Sequence, residues 1–210
     1  MREFIVCGSG GFAREVFAWL LLSEKKHNIR FKGFLDKNNN LDSFGLSNYY
    51  LGSEASYNFN GESLLVAVAN NCLRKAIIER VIKKNVVLDN FIHDSVIIGN
   101  DVRLGKGNIL CPNTILTSNI TIGDFNIINL NVTIGHDVKI GSFNTFSSHC
   151  DITGATSIEN QNFLGSRVSI LPKSKIGNNN QVSAGSVVYK GIKDNMIFKG
   201  NPAIKIGKNE

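Results

Sequence analysis

From residue 92 onward one apolar side chain recurs at every sixth position without a break in phase. The series is Ile92, Ile98, Leu104, Leu110, Leu116, Ile122, Ile128, Ile134, Ile140, Phe146, Ile152, Ile158, Leu164, Ile170, Ile176, Val182 and Val188. Glycine follows seven of these residues, among them Ile98, Ile134 and Leu164. A fixed hexapeptide period is the pattern of a parallel β-helix, in which each coil stacks its apolar residues on the coil below. The hexads cover residues 92–193, or about 5.7 coils of 18 residues. At the ~4.8 Å spacing of paired strands, the stack is about 27 Å tall. The phase also assigns directions. First positions, and the mostly small or polar fifth positions such as Asn108, Asn126, Asn144 and Cys150, point inward. The asparagines there predict left-handed turns or stacked amide ladders. Third and fourth positions face solvent or a neighbouring chain. Residues 194–210 leave the repeat, with a turn at Gly200–Ala203.

Residues 1–90 follow a different pattern. Short apolar runs at Glu3–Cys7, Phe31–Leu35 and Leu64–Ala69 alternate with helical spacing over Phe12–Lys26 and residues 72–84. Val16, Phe17, Leu20 and Leu21 mark the inner side of the first helix. Val86–Leu88 reads as a last strand, and residues 37–62 as irregular chain with one short element. Alternating strands and helices imply a parallel sheet. The fold class is therefore mixed, with a small Rossmann-like α/β domain (1–90) followed by a β-helix domain (91–210) that ends in a short tail. No flexible linker intervenes, so the halves are expected to pack rigidly.

Composition excludes several classes. No apolar run reaches the ~18 residues of a membrane span. The apolar stretch Val16–Leu22 follows a glycine loop, not a basic leader, so no signal peptide is expected. Cys7, Cys72, Cys111 and Cys150 are far apart and form no CxxC. They suit reduced thiols in a cytoplasmic protein better than a disulfide or zinc framework. The net charge of +6 comes from dispersed lysines. That fits a solvated surface or attraction to phosphate-bearing small molecules, and no nucleic-acid partner is expected.

The repeat phase sharpens the candidate chemistry. His136 and Asp137 occupy third and fourth positions in IGHDVKIG, outside the core stack. An imidazole with an ordinary pKa of ~6.5 can accept and return a proton near neutral pH, which makes His136 a candidate general base with Asp137 beside it. The plain alternative is a surface His–Asp pair. His149 is out of register with His136, and the four histidines show no metal-ligand spacing, so no zinc site is expected. Gly8-Ser9-Gly10-Gly11-Phe12-Ala13 follows a strand, opens a helix and fits G-x-G-x-x-A, with Asp36 ending the next strand. Such a loop lets backbone approach a pyrophosphate at a helix N-terminus. The unit is short for a dinucleotide, so a mononucleotide or nucleotide-sugar is the better ligand. An empty βα turn is the structural alternative.

Taken together, CGSGGFAREV, FLD at 34–36, VANN at 68–71, IINLNVTIGHDVKIG at 127–141, GSRVSILP and the closing GNPA resemble the NeuD/PglD group of bacterial sugar acyltransferases. The resemblance covers essentially the whole chain. It implies a left-handed β-helix, a homotrimer with active sites between subunits, and acetyl-CoA as co-substrate with no metal. By that resemblance His136 is the catalytic base with Asp137 beside it. Gly8, Gly10, Gly11, Phe12, Asp36, Asn70 and Asn129 hold the nucleotide-sugar. Thr145, Gly154, Ser166 and Ala184 border the acyl donor, Gly154 through its N–H. Phe12 and Thr145 stand where some relatives carry histidine. Lys190, Lys193 and Lys199 are candidates for the CoA phosphates, or are simply solvated.

The implied reaction is direct N-acetylation of the 4-amino group of a UDP- or dTDP-linked 4-amino-4,6-dideoxy sugar for surface-glycan biosynthesis. The alternatives are O-acetylation of a sialic-acid-type hydroxyl and a non-catalytic nucleotide-sugar binding protein.

Overall fold

The computed structural model describes residues 1–209. It divides into two compact units, the first ending at Phe91 and the second beginning at Ile92.

The first unit is built on three parallel strands, β1 (Arg2–Cys7), β2 (Ile29–Leu35) and β3 (Ser63–Val66), in the order β2-β1-β3. The central strand is covered on both faces, so its inner run FIVC is buried without alternation, as a parallel sheet requires. Helix α1 (Gly11–His27) buries Ala13, Val16, Phe17 and Leu20, the i, i+3, i+4, i+7 stripe of an amphipathic helix. Leu21, expected on that side, lies exposed because it falls a step off the stripe. Removing Val16, Phe17 and Leu20 from water contributes roughly 5–9 kcal/mol. The helix stops at Asn28, whose left-handed conformation (φ 51°) returns its N–H to Glu24 O, with Lys25, Lys26 and His27 facing the negative end of the dipole.

The segment expected to hold one short element contains two single 3₁₀ turns, Asp42–Phe44 and Ser47–Tyr49. Helix α2 covers Asn71–Val81. Val86–Leu88 does not form a strand. Only a single bridge joins Val87 to Ser63 at the free edge of β3.

The second unit is a parallel β-solenoid of about six turns. Each coil gives a short strand to each of three faces, and pairing advances by 18 residues, as in Ile115, Thr133, Asp151, Ser169 on the second face. The first face includes Ile127–Ile128 and Thr145–Phe146, and the third includes Ile120–Ile122 and Lys139–Ile140. First- and fifth-position side chains from Leu110 to Val188 form one buried core. Ile92 and Ile98 depart from the inward rule and are about 40% exposed. They belong to the first coil, which has a stacked neighbour on one side only.

The left-handed turns lie one residue earlier than the asparagines suggested. Asp101, Asn119, Phe125, Asp137, His149, Ala155, Arg167 and Lys173, all fourth positions, have φ between 54° and 63°. This conformation costs roughly 1–3 kcal/mol at a non-glycine residue. It is offset because it turns the N–H onto the coil below: Asp137 N–H donates to Ser118 O (3.1 Å) and His149 N–H to Leu130 O (2.9 Å).

The inward asparagines form the ladder instead. Asn108, Asn126, Asn144, Asn162 and Asn180 stack so that each Oδ1 accepts from the backbone N–H and Nδ2 of the next at 2.8–3.1 Å. Met196 N–H closes the run on Asn180 Oδ1. The tail is more ordered than a turn. Met196–Lys199 joins the first face beside Gln181–Val182, and Ile204–Lys208 pairs back antiparallel.

Candidate functional site

In the solenoid the corner after the second face carries the sharpest chemistry. The His136 side chain is 67% exposed, and its Nδ1 lies 2.7 Å from an Asp137 carboxylate oxygen. A carboxylate only accepts, so Nδ1 holds the proton and Nε2 keeps the lone pair in the neutral ring. The left-handed backbone at Asp137 (φ 61°) aims its carboxylate back at the preceding side chain. One coil below, Asn119 donates Nδ2–H to Asp137 Oδ1 at 2.5 Å. Hydrogen bonds from His136 first, and then Asn119, hold the Asp137 carboxyl below the usual carboxylate range.

One coil above, Gly154 makes room for the ring. A Cβ there would sit 2.6 Å from His136 Nε2 and 2.7 Å from Cε1. Among the described residues the Gly154 N–H has no hydrogen-bond partner. A basic ring nitrogen and an unpaired backbone donor thus share one corner. Sequence reasoning missed Asn119, whose only signal is its 18-residue offset from Asp137.

Asn129, Ser166 and Ala184 lie on a different corner, the one after the first face. There Asn129 Oδ1 accepts the Leu130 N–H (2.7 Å), and a Cβ on Gly165 would meet Ala184 N at 2.6 Å. Thr145 is buried within the first face. A six-residue face separates adjacent corners, at most about 20 Å of chain. Within a single prism Asn129, Ser166 and Ala184 follow strands of the first face, whereas His136 follows a strand of the second. His149 is exposed at the first corner, and Lys190, Lys193 and Lys199 are exposed near the end of the last coil. Among the described residues no three His, Cys, Asp or Glu side chains converge as metal ligands, and no helix is long and apolar enough to cross a membrane.

In the first unit the glycine loop sits where β1 meets α1. Gly8 has φ 114°, and a Cβ there would lie 3.0 Å from Ala67 O, so only glycine fits the turn. Gly10 caps α1 and Gly11 opens it. Ser9 N–H and Oγ–H both donate to Asp36 Oδ2 at 2.7 Å, which ties the loop to the end of β2. Phe12 is half-buried. Asn70 caps α2, its Oδ1 accepting the Leu73 N–H at 2.9 Å.

Behind the Asn70 cap, buried Arg74 donates Nη1–H to Val68 O (2.7 Å) and Ala69 O (3.2 Å). Burial lowers its pKa to about 9, so it remains cationic at neutral pH. A cavity of about 560 Å³ opens at the carboxyl ends of the strands, lined by Gly8, Asp36, Glu54, Val68, Ile77 and Arg80 among others. Ligands of open α/β sheets bind at this end. Glu54, Arg74 and Arg80 belong to no local motif, and sequence reasoning did not single them out.

Residues 3–81 match the sequence profile of the PglD N-terminal domain. The first unit is a PglD N-terminal domain. Over its whole length the chain is similar to three solved structures. WeeI from Acinetobacter baumannii AYE is 26% identical, with a TM-score of 0.85, over 98% of this chain and 100% of that one. A variant of perosamine N-acetyltransferase from Caulobacter crescentus, in complex with CoA and GDP-perosamine, is 24% identical with a TM-score of 0.86 over 99% and 98%. The acetyltransferase domain of PglB from Neisseria gonorrhoeae FA1090, in complex with acetyl coenzyme A, is 24% identical with a TM-score of 0.86 over 98% and 99%. No curated protein sequence matches. A PglD N-terminal domain followed by a β-solenoid is the architecture expected of the NeuD/PglD type.

Proposed function

We propose that this protein is an acetyl-CoA-dependent N-acetyltransferase acting on the 4-amino group of a UDP- or dTDP-linked 4-amino-4,6-dideoxy sugar. The observation that carries the reading is the His136 corner, where an exposed imidazole with Nδ1 fixed by Asp137 lies against the unpaired Gly154 N–H. The solved structures with the same two-part fold support it, since two of them are acetyltransferases in complex with CoA or acetyl-CoA.

In the proposed reaction the neutral amine attacks the thioester carbonyl. Nε2 of His136 takes the proton released as the C–N bond forms, while Asp137 stabilises the resulting imidazolium. The Gly154 N–H donates to the oxyanion, an interaction worth about 3 kcal/mol in a comparable site. The thiolate of CoA then leaves and takes the proton from the His136 imidazolium, which restores the neutral base. No covalent acyl-enzyme is required. The buried thiols are poor nucleophiles: desolvation raises the Cys150 pKa to about 12 and pushes Cys7 up as well. The first unit binds the nucleotide through the Gly8–Gly11 loop, Asp36 and the neighbourhood of Asn70.

The reading includes a homotrimer with active sites between subunits, which the separation of the two corners supports. One prism supplies His136, Asp137 and Gly154, and a neighbour supplies the Asn129, Ser166 and Ala184 corner for the sugar and the pantetheine arm. Both substrates belong to cytoplasmic metabolism, and the product suits surface-glycan assembly. His136→Ala should lower kcat by roughly 10²–10⁴ with assembly intact. Near-full activity in that variant would remove His136 from the mechanism.

A further inference from the structure

We propose that Glu54 and Arg80 form the base-reading element of the first unit, and that the base they select is uracil or thymine. The inference rests on the nucleotide-sugar reading above. It starts from a pair that the loop, Asp36 and Asn70 leave unexplained. Glu54 is 7% exposed and lines the cavity at the carboxyl end of the sheet. Arg80 Nε and Nη2 both donate to one carboxylate oxygen, Oε1, at 3.0 and 2.6 Å. The other oxygen, Oε2, has no hydrogen-bond partner among the described residues. It is also not sealed off, because among the described residues the one fully enclosed side-chain oxygen or nitrogen without a partner is Ser174 Oγ. The cavity thus presents an ionisable acceptor with unused capacity on an otherwise largely apolar wall that includes Leu35, Val68, Leu73 and Ile77.

The element is held rigidly. Lys84 Nζ donates to the carbonyls of Glu54, Ala55 and Tyr57 at 2.6–3.1 Å, which clamps this loop to the chain just after α2. Arg80 grips the Glu54 side chain from the helix itself. A preorganised acceptor beside a guanidinium that still has free N–H groups matches an edge with one ring N–H next to a carbonyl. The ring N–H donates to Oε2 and the carbonyl accepts from Arg80. Uracil and thymine present that edge at N3–H and O4. Guanine would bring a second donor, its amino group, to a carboxylate whose other oxygen is already taken. Cytosine has a lone pair at N3 that would face the carboxylate. Asp36 and the glycine loop, at the rim of the same cavity, fall to the ribose and the diphosphate.

The test is calorimetric titration of the full-length protein with UDP, dTDP, CDP, GDP and ADP. The result expected is UDP and dTDP binding roughly 10- to 100-fold more tightly than the other three, the span of a charge-assisted hydrogen bond. Glu54→Gln keeps the shape but offers an amide that can donate to cytosine N3, so the UDP-to-CDP ratio should fall towards one. Arg80→Ala leaves Glu54 in place and should weaken UDP roughly tenfold or more. Equal binding of UDP and CDP by the wild type overturns the assignment, as does GDP binding as tight as UDP. So does a ratio unchanged in Glu54→Gln, provided thermal melting shows that variant folded. These outcomes leave the nucleotide-sugar reading intact. Failure of all five nucleotides to bind overturns both.

Discussion

Replacing Gly154 by alanine tests the His136 corner through a residue that carries no side-chain chemistry. Gly154 does not have a left-handed backbone, so the chain itself accepts alanine there. The added methyl would lie 2.6 Å from Nε2, about 0.8 Å inside the 3.4 Å at which ordinary contact begins. The ring is the exposed end of a side chain, so it moves and the backbone does not. Moving it pulls Nδ1 off its 2.7 Å bond to Asp137 and displaces Nε2 from the reacting amine. A misplacement near 1 Å costs up to roughly 100-fold in rate. We therefore expect Gly154→Ala to lower kcat about 10- to 100-fold, or roughly 1.4–2.7 kcal/mol of barrier. Nucleotide binding and melting temperature should change little. The assay is continuous detection of released CoA thiol with acetyl-CoA and a nucleotide-linked aminosugar. A double-mutant cycle isolates the route: in a His136→Ala background, Gly154→Ala should add almost nothing. Unchanged turnover in the single variant, or full additivity in the double, would refute the argument that Gly154 acts through the ring.

Three further outcomes follow from the same geometry. Asn119→Ala removes the second hydrogen bond to Asp137 and should lower kcat about fivefold, by ~1 kcal/mol, with KM for the nucleotide-sugar unchanged. Asn144→Ala breaks the interior of the amide ladder, leaves buried Nδ2–H and N–H donors of Asn162 unmatched, and should cost about 2–4 kcal/mol in urea unfolding. At Glu62, burial raises the carboxyl pKa, but hydrogen bonds from Lys32 and from the Asn60 and Glu62 N–H groups outweigh it and leave it at about 2, below the ordinary 4.5. A depressed carboxyl stabilises the fold above its unfolded pKa and loses that contribution as pH falls through the folded one. The stability difference between wild type and Glu62→Gln, measured by urea unfolding, should therefore be largest above pH ~5 and shrink by on the order of 2–3 kcal/mol towards pH ~2.

Much of the solenoid is legible from its period. The six-residue phase correctly places Asn108, Asn126 and Cys150 inside and His136 and Asp137 outside, because the coil repeats the same constraint at each step. It says nothing of which coil lacks a neighbour, so the exposure of Ile92 and Ile98 is invisible. Nor does it reveal the left-handed fourth positions. Those are filled by Asp, Phe, His, Arg and Lys as well as Asn, because the hydrogen bond to the coil below imposes the turn and residue preference does not.

The site divides in the same way. The Gly8–Gly11 loop and Asp36 announce themselves by local spacing, and the structure joins them through Ser9. Asn119, Glu54 and Arg80 act across 18 and 26 residues of sequence, with no local signature, and only the fold brings them to their partners. Asn129, Ser166 and Ala184 sit on a corner separate from His136, a division that the linear order of the residues does not show.

The most direct measurement is mass-spectrometric analysis of the product formed from acetyl-CoA and a nucleotide-linked 4-amino-4,6-dideoxy sugar, with wild type and His136→Ala run side by side. The account predicts one acetyl group on the sugar amine and one CoA released per turnover by the wild type, with a loss of about 10²–10⁴ in the variant. Acetyl transfer to a sialic-acid hydroxyl with none to any such amine, or equal amine acetylation by both proteins, would contradict it.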